Sequence, residues 1–239
     1  MKDKYILNDR ECVVIKPPDK PNGRWIWRTE FLSEFDYADN ELLKLGWHIA
    51  YCRVSDMYGC PEAIEAMKRF HDDVVERYNL NKKADIFGFS RGGLYAVNYA
   101  RRYPYDVSTL YLDAPVLDIF SWPGGYGRGQ YEEKLWKQCL ACYGATLETS
   151  CDITENPIRH LKEIIQLKIP IIIVAGDDDK VVPYNENGQL LYNEGIRQNA
   201  VIKVILKSGG GHHPHSLTDP SPIVEFIKTF GYKRKTDDR

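Results

Sequence analysis

The residues with the clearest chemical meaning lie in segment 88–92, which reads GFSRG and matches the pattern G-x-S-x-G. An apolar run ends at Phe89, and a helical pattern starts at Gly92. This strand–turn–helix context is the one in which a tight turn exposes a nucleophilic serine. The glycines leave room for the turn, and the free N–H groups at the start of the helix favour developing negative charge. The segment therefore predicts that Ser90 is a nucleophile.

A serine hydroxyl is a weak nucleophile at neutral pH and needs a base that is itself oriented by an acid. Two later loops supply both kinds of group. Residues 177–179 are three aspartates that follow the apolar run 169–175, and residues 209–215 read GGGHHPH after the run 201–206. In a parallel sheet such loops meet at the carboxyl ends of the strands, where ligands bind. The order serine, acid, histidine thus predicts a catalytic triad.

Together these motifs make the chain resemble the α/β-hydrolase superfamily, in its serine-esterase type, over most of its length. The resemblance implies a nucleophile at Ser90, an acid at Asp179 and a base at His212. Asp179 is favoured over the two aspartates before it because the family's acid stands three residues after the strand-ending glycine, shortly before Val-Pro. Two alternatives stay open, namely Asp113 as the acid and His213 as the base.

An acyl-transfer site of this kind also needs two backbone donors for the oxyanion. The resemblance assigns one to the N–H of Arg91 and the other to the loop after an earlier strand, around Arg28, Thr29 and Glu30. The chain departs here from the family's common His-Gly pattern, so the position of the second donor is defined only to within a residue or two. Two outcomes are open for the Arg28 side chain. It grips a carboxylate or sugar hydroxyls at the mouth of the site, or it forms a salt bridge to Glu30 or Glu34.

Several aromatic residues lie close to these motifs in the sequence. They either present flat faces to a ring-shaped substrate, which would suit a sugar or an aromatic acyl group, or pack in the core. Trp122 is counted among the candidate substrate contacts, and so is His213. The aromatic residues concerned are Trp25, Trp27, Trp122 and Tyr126.

Metal chemistry is the rival interpretation of the histidine-rich loop. His212, His213 and His215 are so close in sequence that they do not easily form a tetrahedral set without distant ligands. Cys139 and Cys142 have C-x-x-C spacing, but no second such pair completes a site, and small buried hydrophobic residues explain them. We therefore expect neither a metal ion nor a cofactor.

The elements that must position these residues alternate between short apolar runs and helical patterns. This alternation predicts an α/β fold, with a doubly wound, mostly parallel sheet and helices on both faces, in a single domain over residues 1–239. Segment 118–153 is expected to form a small lid over one end of the sheet, and the charged tail 233–239 is expected to fray. The predicted strands are 11–16, 24–27, 47–52, 84–89, 109–113, 169–175 and 201–206, and the predicted helices are 38–45, 61–78, 92–103, 130–143, 157–166, 185–197 and 222–230.

Composition narrows the function further. The 239 residues are 43% hydrophobic and 28% charged, with a formal net charge of −2. A near-neutral chain has no field to gather nucleic acid, and its apolar runs are too short to span a membrane. No apolar leader follows the N-terminus, so we expect a cytoplasmic protein.

From these observations we expect an enzyme that cleaves small-molecule carboxylic esters through an acyl-enzyme, with deacetylation of sugar esters as a narrower expectation. A peptidase or thioesterase with the same triad is the alternative within the fold. A binding protein without turnover is the alternative from another class. The sequence leaves the oligomeric state open.

Overall fold

A computed structural model describes residues 1–232, so the tail 233–239 predicted to fray lies outside the described residues. The strands are β1 (Lys2–Leu7), β2 (Arg10–Ile15), β3 (Trp25–Arg28), β4 (His48–Cys52), β5 (Ala84–Phe89), β6 (Val107–Asp113), β7 (Ile171–Gly176) and β8 (Ile202–Lys207). The helices are α1 (Tyr37–Lys44), α2 (Pro61–Tyr78), α3 (Gly92–Arg102), α4 (Glu133–Cys142), α5 (Leu161–Gln166), α6 (Gly188–Arg197) and α7 (Ser221–Phe230). No helix among these is both long enough and apolar enough to cross a membrane.

All of these strands form one sheet in the order β1-β2-β4-β3-β5-β6-β7-β8. The pairs β1–β2 and β2–β4 are antiparallel, and every pair from β4 through β3 to β8 is parallel. The central strands β5, β6 and β7 are buried along their whole length, as expected for strands covered on both faces. The predicted doubly wound α/β arrangement is confirmed.

Helices cover both faces of the sheet. On one face, Leu42 of α1 and Ile227 of α7 pack with Ile26 of β3, whereas α2 and α3 cover the other face. Trp25 and Trp27 point to that second face because side chains alternate along a strand. They are 0% and 1% exposed, and their rings stack at a centroid distance of 5.4 Å. Core packing is therefore the correct interpretation of these two tryptophans.

The edge strand β1 is missing from the sequence-based assignment. Its residues alternate between exposed and half-buried, and half of its side chains are charged, which hides the strand in a hydrophobicity pattern. Asn8 and Asp9 join β1 to β2 with φ of 48° and 62°. This left-handed backbone at two successive residues makes a tight hairpin turn, and Asn and Asp tolerate it well. The other differences lie at element ends; for example, the helix predicted at 185–197 begins at Gly188.

Segment 118–153 is part of the connection between β6 and β7 and contains α4. Trp136 of α4 points into the hydrophobic core and anchors the segment there. The N–H of Gln130 donates to the carbonyl of Val181 at 3.1 Å, which ties the segment to the loop after β7. The segment therefore packs at the carboxyl end of the strands, and its action as a lid stays a prediction.

The six cysteines are all free thiols. Cys139 is fully buried in the core, and Cys142 is half-buried on the same helix. Burial raises the pKa of the Cys142 thiol to about 11, so it is a weak source of thiolate at neutral pH. The pair behaves as small core residues with helical spacing.

Candidate active site

Ser90 stands in the sharp turn between β5 and α3. Its backbone has a φ of 48°, the strained left-handed conformation of a nucleophile elbow. A Cβ placed on Gly88 would lie 2.9 Å from the Cβ of Ala96, and one placed on Gly92 would lie 2.8 Å from Oγ1 of Thr29. A larger residue at either glycine would therefore force its neighbour to move.

Two hydrogen bonds join the predicted triad residues. Ser90 Oγ lies 2.9 Å from His212 Nε2, and His212 Nδ1 lies 2.7 Å from Asp179 Oδ2. The second carboxylate oxygen, Oδ1, accepts the backbone N–H groups of Val181 and Val182, both at 2.9 Å. These bonds fix the carboxylate so that Oδ2 faces the imidazole. The three side chains come from loops after β5, β7 and β8, and all three are at least nine-tenths buried.

The neighbouring aspartates have other partners. Asp177 accepts the N–H of Gly209 at 2.6 Å, and Asp178 pairs with Lys180. Both aspartates are exposed, in contrast to Asp179. Asp177 therefore caps the loop and Asp178 carries a solvated charge, which agrees with the preference for Asp179 as the acid.

The geometry defines one productive tautomer of His212. With the proton on Nδ1, the imidazole donates to Asp179, and its Nε2 accepts the hydroxyl proton of Ser90. A serine in this setting can lose its proton to Nε2 as it attacks an electrophilic carbon, and the imidazolium then faces the carboxylate. The arrangement can thus perform nucleophilic acyl transfer.

Of the three loop residues predicted to include the second oxyanion donor, Thr29 already has hydrogen-bond partners of its own. Its N–H donates to the carbonyl of Phe87 at 3.2 Å, and its hydroxyl lies 2.9 Å from the carbonyl oxygen of Gly92. The N–H groups of Arg91 and Glu30 donate to no other group within residues 1–232. The candidate pair of donors is therefore Arg91 and Glu30, one residue beyond Thr29.

The expectation that Arg28 lies at the mouth of the site is wrong. The side chain is fully buried, with Nε donating to Asp39 Oδ1 at 2.8 Å and the guanidinium 3.9 Å from the ring centre of Phe89. Its terminal nitrogen donates to the backbone carbonyl of Glu34. The alternative, a salt bridge to Glu30 or Glu34, is also wrong, because the carboxylate that pairs with Arg28 is that of Asp39 on α1. Arg28 joins the strand end to α1 and does not reach a substrate.

Glu30 instead pairs with the residue after the nucleophile. Its Oε1 lies 3.5 Å from Arg91 Nε, and its Oε2 accepts the hydroxyl of Ser55 at 3.0 Å. Arg91 also donates to Asp56 at 2.7 Å. Burial raises the pKa of Glu30, although the charge of Arg91 opposes the shift. Sequence reasoning did not identify this buried pair; the signal was a glutamate two residues after the strand that precedes the oxyanion loop.

A second carboxylate–imidazole pair lies beside the triad. Asp113 Oδ1 lies 2.8 Å from His215 Nδ1, and both side chains are buried. Asp113 is therefore not the partner of His212. Its carboxylate also accepts the backbone N–H of Ser216 at 2.8 Å.

His213 lies next to His212 but is exposed and makes no hydrogen bond with Ser90. Its ring stacks on Phe35 at 5.9 Å. Partial burial lowers the pKa of His213, and its neighbours His215 and His212 lower it further. One nitrogen of each of the three imidazoles lies within 4.8 Å of the others.

The two remaining aromatic candidates, Trp122 and Tyr126, differ in their exposure to solvent. Trp122 is only 8% exposed and packs near the ring of Tyr58, whereas Tyr126 is 64% exposed with its ring edge-on to Phe120 and Trp136. Contact of Trp122 with a substrate stays a prediction.

Comparisons with known proteins identify solved structures that have a similar fold. No protein-family model matches the chain, and no curated protein sequence matches it. Among solved structures, the uncomplexed acylaminoacyl peptidase of Pyrococcus horikoshii is similar over 98% of this chain and 42% of its own, with 14% identity and a TM-score of 0.74. An acylaminoacyl peptidase in complex with Z-Gly-Gly-Phe-chloromethyl ketone is similar over 99% of this chain and 43% of its own, at 13% identity and a TM-score of 0.72.

A putative dipeptidyl aminopeptidase IV from Bacteroides ovatus is also similar, over 96% of this chain and 35% of its own, with 12% identity and a TM-score of 0.69. This chain thus spans less than half the length of these structures. The shared architecture, with a mostly parallel sheet flanked by helices, is that of the α/β-hydrolase superfamily to which such peptidases belong. The chain therefore has the α/β-hydrolase fold.

Proposed function

We propose that this protein is a serine hydrolase that transfers an acyl group to water through a covalent intermediate on Ser90. The observation that carries the proposal is the pair of hydrogen bonds from Ser90 to His212 at 2.9 Å and from His212 to Asp179 at 2.7 Å. Each residue comes from a different loop, so the three side chains meet only because of the fold. Such an arrangement activates a hydroxyl that is otherwise a weak nucleophile.

The reaction proceeds in two halves. Ser90 Oγ attacks the carbonyl carbon of the substrate while its proton passes to His212 Nε2, and the N–H groups of Arg91 and Glu30 stabilise the oxyanion. The leaving group departs with the proton from Nε2, which leaves an ester between the acyl group and Ser90. Water then attacks this ester while His212 Nε2 takes its proton, and His212 returns that proton to Ser90 Oγ as the bond to the acyl group breaks and the acid leaves.

Peptides or acylated amino acids are the substrates we favour. The structural neighbours carry the names of peptidases, which supports the peptidase alternative over a sugar-ester deacetylase. The sugar hypothesis relied on exposed aromatic rings, and its support weakens because Trp25 and Trp27 are buried in the core. Activated esters remain useful test substrates, since a serine that attacks an amide forms the same acyl-enzyme from an ester.

The decisive experiment is labelling with a fluorophosphonate probe beside turnover of two matched substrates. One substrate is an N-acetylated amino-acid p-nitroanilide, and the other is the p-nitrophenyl ester of the same acyl group. We expect wild type to be labelled and Ser90→Ala to be unlabelled and inactive. Ser216→Ala is the matched control, because Ser216 is equally buried and its hydroxyl has no partner within the described chain.

Two results would count against the proposal. Labelling that persists in Ser90→Ala would place the nucleophile elsewhere, and a wild type that is neither labelled nor active would favour a binding protein. Turnover of the ester without the anilide would restore the esterase hypothesis and reject the peptidase.

A further inference from the structure

Three imidazoles from one short loop form a triangle next to Ser90. The ring centroids of His212, His213 and His215 are 4.7 to 4.9 Å apart in pairs, and each pair of rings is nearly perpendicular, at 75° to 83°. One nitrogen of each ring lies within 4.8 Å of the others. Catalysis by the triad requires only one of these rings, so the other two need a separate explanation.

Two of the three rings are each bonded to a carboxylate through Nδ1. His212 Nδ1 is bonded to Asp179 at 2.7 Å, and His215 Nδ1 is bonded to Asp113 at 2.8 Å. A carboxylate on one ring nitrogen fixes the tautomer and makes the other nitrogen a better ligand, as in the outer contacts of metal-bound histidines. Both buried rings are thus prepared to offer Nε2.

The third ring is free to complete the set. His213 is exposed and, within residues 1–232, makes no hydrogen bond through its ring. Four-coordinate zinc with bonds of about 2.0–2.1 Å holds its ligand nitrogens about 3.3 Å apart, so the triangle must contract by about 1.5 Å at most. Rotation of the exposed His213 ring supplies part of that contraction, because outside the cluster the ring stacks on Phe35 and no hydrogen bond within residues 1–232 holds it.

We infer that His212, His213 and His215 bind a divalent transition-metal ion of the zinc class. Imidazole nitrogens are ligands that Zn²⁺ and Cu²⁺ prefer, and three of them leave a fourth position for water or for the hydroxyl of Ser90. Hard ions such as Mg²⁺ and Ca²⁺ prefer oxygen and are expected to bind poorly.

The consequence for catalysis rests on the proposed function. An ion bound to His212 Nε2 occupies the lone pair that must accept the proton of Ser90. Metal binding and acyl transfer are then mutually exclusive, and the ion is a reversible inhibitor. Removal of the ion by a chelator restores the hydrogen bond between Ser90 and His212.

Metal binding is measured directly, without turnover. Zn²⁺ affinity is obtained by competition with a chromogenic chelator, and Co²⁺ supplies a visible absorption spectrum that reports four-coordinate nitrogen ligation. We expect one ion per wild-type chain and an affinity at least about tenfold lower in His213→Gln, since loss of a direct ligand should cost no less than loss of an outer contact. His160→Gln, which removes a histidine outside the cluster, should bind as wild type does.

Labelling of Ser90 by a fluorophosphonate gives the second measurement. We expect Zn²⁺ to slow labelling of wild type, EDTA to restore it, and His213→Gln to need at least about ten times more Zn²⁺ for the same effect. Equal affinity in wild type and His213→Gln, or no Co²⁺ spectrum in wild type, would overturn the inferred site. Full labelling of the metal-bound protein would overturn the inhibition. If Ser90 is not labelled even without metal, the proposed function fails, whereas the binding measurements still decide the metal site.

Discussion

Asp113 and Asp179 stand at the carboxyl ends of adjacent parallel strands, β6 and β7, and accept hydrogen bonds from two different histidines of one loop. Asp179 is bonded to His212, which faces Ser90, and Asp113 is bonded to His215, which does not. Both strand ends can carry the acid of a triad, and here both carry an aspartate. The two carboxylates therefore differ in role, and substitutions at the two positions should have different effects.

Asp179→Asn should remove activity and preserve the fold. The Asn oxygen can still accept the N–H groups of Val181 and Val182, but its amide group donates to His212 Nδ1 and favours the wrong tautomer. We expect kcat/KM for a p-nitrophenyl ester to fall by about 10⁴-fold, with little change in Tm. Activity within about tenfold of wild type would show that Asp179 does not orient the base.

Asp113→Ala should act first on stability. Three buried donors lose their acceptor, namely the Tyr111 hydroxyl, the His215 ring and the Ser216 N–H. Since each unsatisfied buried donor costs about 1–3 kcal/mol, we expect the free energy of unfolding in urea to fall by about 3 kcal/mol or more. Tyr111→Phe is the matched control, because it removes only one of these bonds. A loss in Asp113→Ala no larger than that of Tyr111→Phe would contradict this role.

His212→Ala and His213→Ala test the register of the histidine loop. Only His212 lies within hydrogen-bond distance of both Ser90 and Asp179. We expect a loss of kcat of about 10³-fold or more in His212→Ala and a far smaller loss in His213→Ala. A severe loss in His213→Ala alone would assign the role of base to His213 and show that the histidine loop is shifted by one residue.

The parts of the site that the sequence predicts are those that depend on local pattern. An apolar strand followed by G-x-S-x-G and a helix defines the turn at Ser90 without knowledge of the rest of the molecule. Asp179 and His212 follow strands in the same way, and parallel strands bring their loops to one edge. The order of elements therefore predicts which loops meet, whereas the choice of Asp179 and His212 within those loops relies on the resemblance to the family.

The errors concern contacts that depend on which elements pack against a given face. Arg28 stands two residues after Ile26 and so points to the same face of the sheet, where α1 supplies Asp39. The bond from His215 to Asp113 depends on a strand order in which β6 lies beside β7. A local sequence pattern predicts neither the packing of α1 nor that strand order.

Gly92→Ala tests the packing that supports the elbow. The Cβ of an alanine at position 92 would lie 2.8 Å from Oγ1 of Thr29, and the next nearest atom, the Cβ of Glu30, is 3.5 Å away. We expect a destabilisation of about 1–3 kcal/mol that Thr29→Ala relieves in part, so that the double variant loses less than the sum of the single variants. Gly88→Ala is the contrast, because its Cβ would meet the backbone oxygen of Gly92 at 2.9 Å, which Thr29→Ala does not remove. Additive losses for Gly92 and Thr29 in urea denaturation would reject the contact.

Glu30 should make stability depend on pH, because burial raises the pKa of its carboxyl in the folded protein. Below the ordinary carboxyl pKa of about 4.3, folded and unfolded chains both hold the proton. As pH rises through the interval up to the raised pKa, the unfolded chain loses the proton first, so the free energy of unfolding falls. Glu30→Gln has no such proton, and its stability relative to wild type should therefore increase with pH across this interval. Urea denaturation between pH 4 and pH 8 measures the difference, with Glu76→Gln on the exposed face of α2 as the control for loss of a carboxyl. A difference between wild type and Glu30→Gln that stays constant, or that shrinks as pH rises, would show that Arg91 compensates the burial of Glu30 in full.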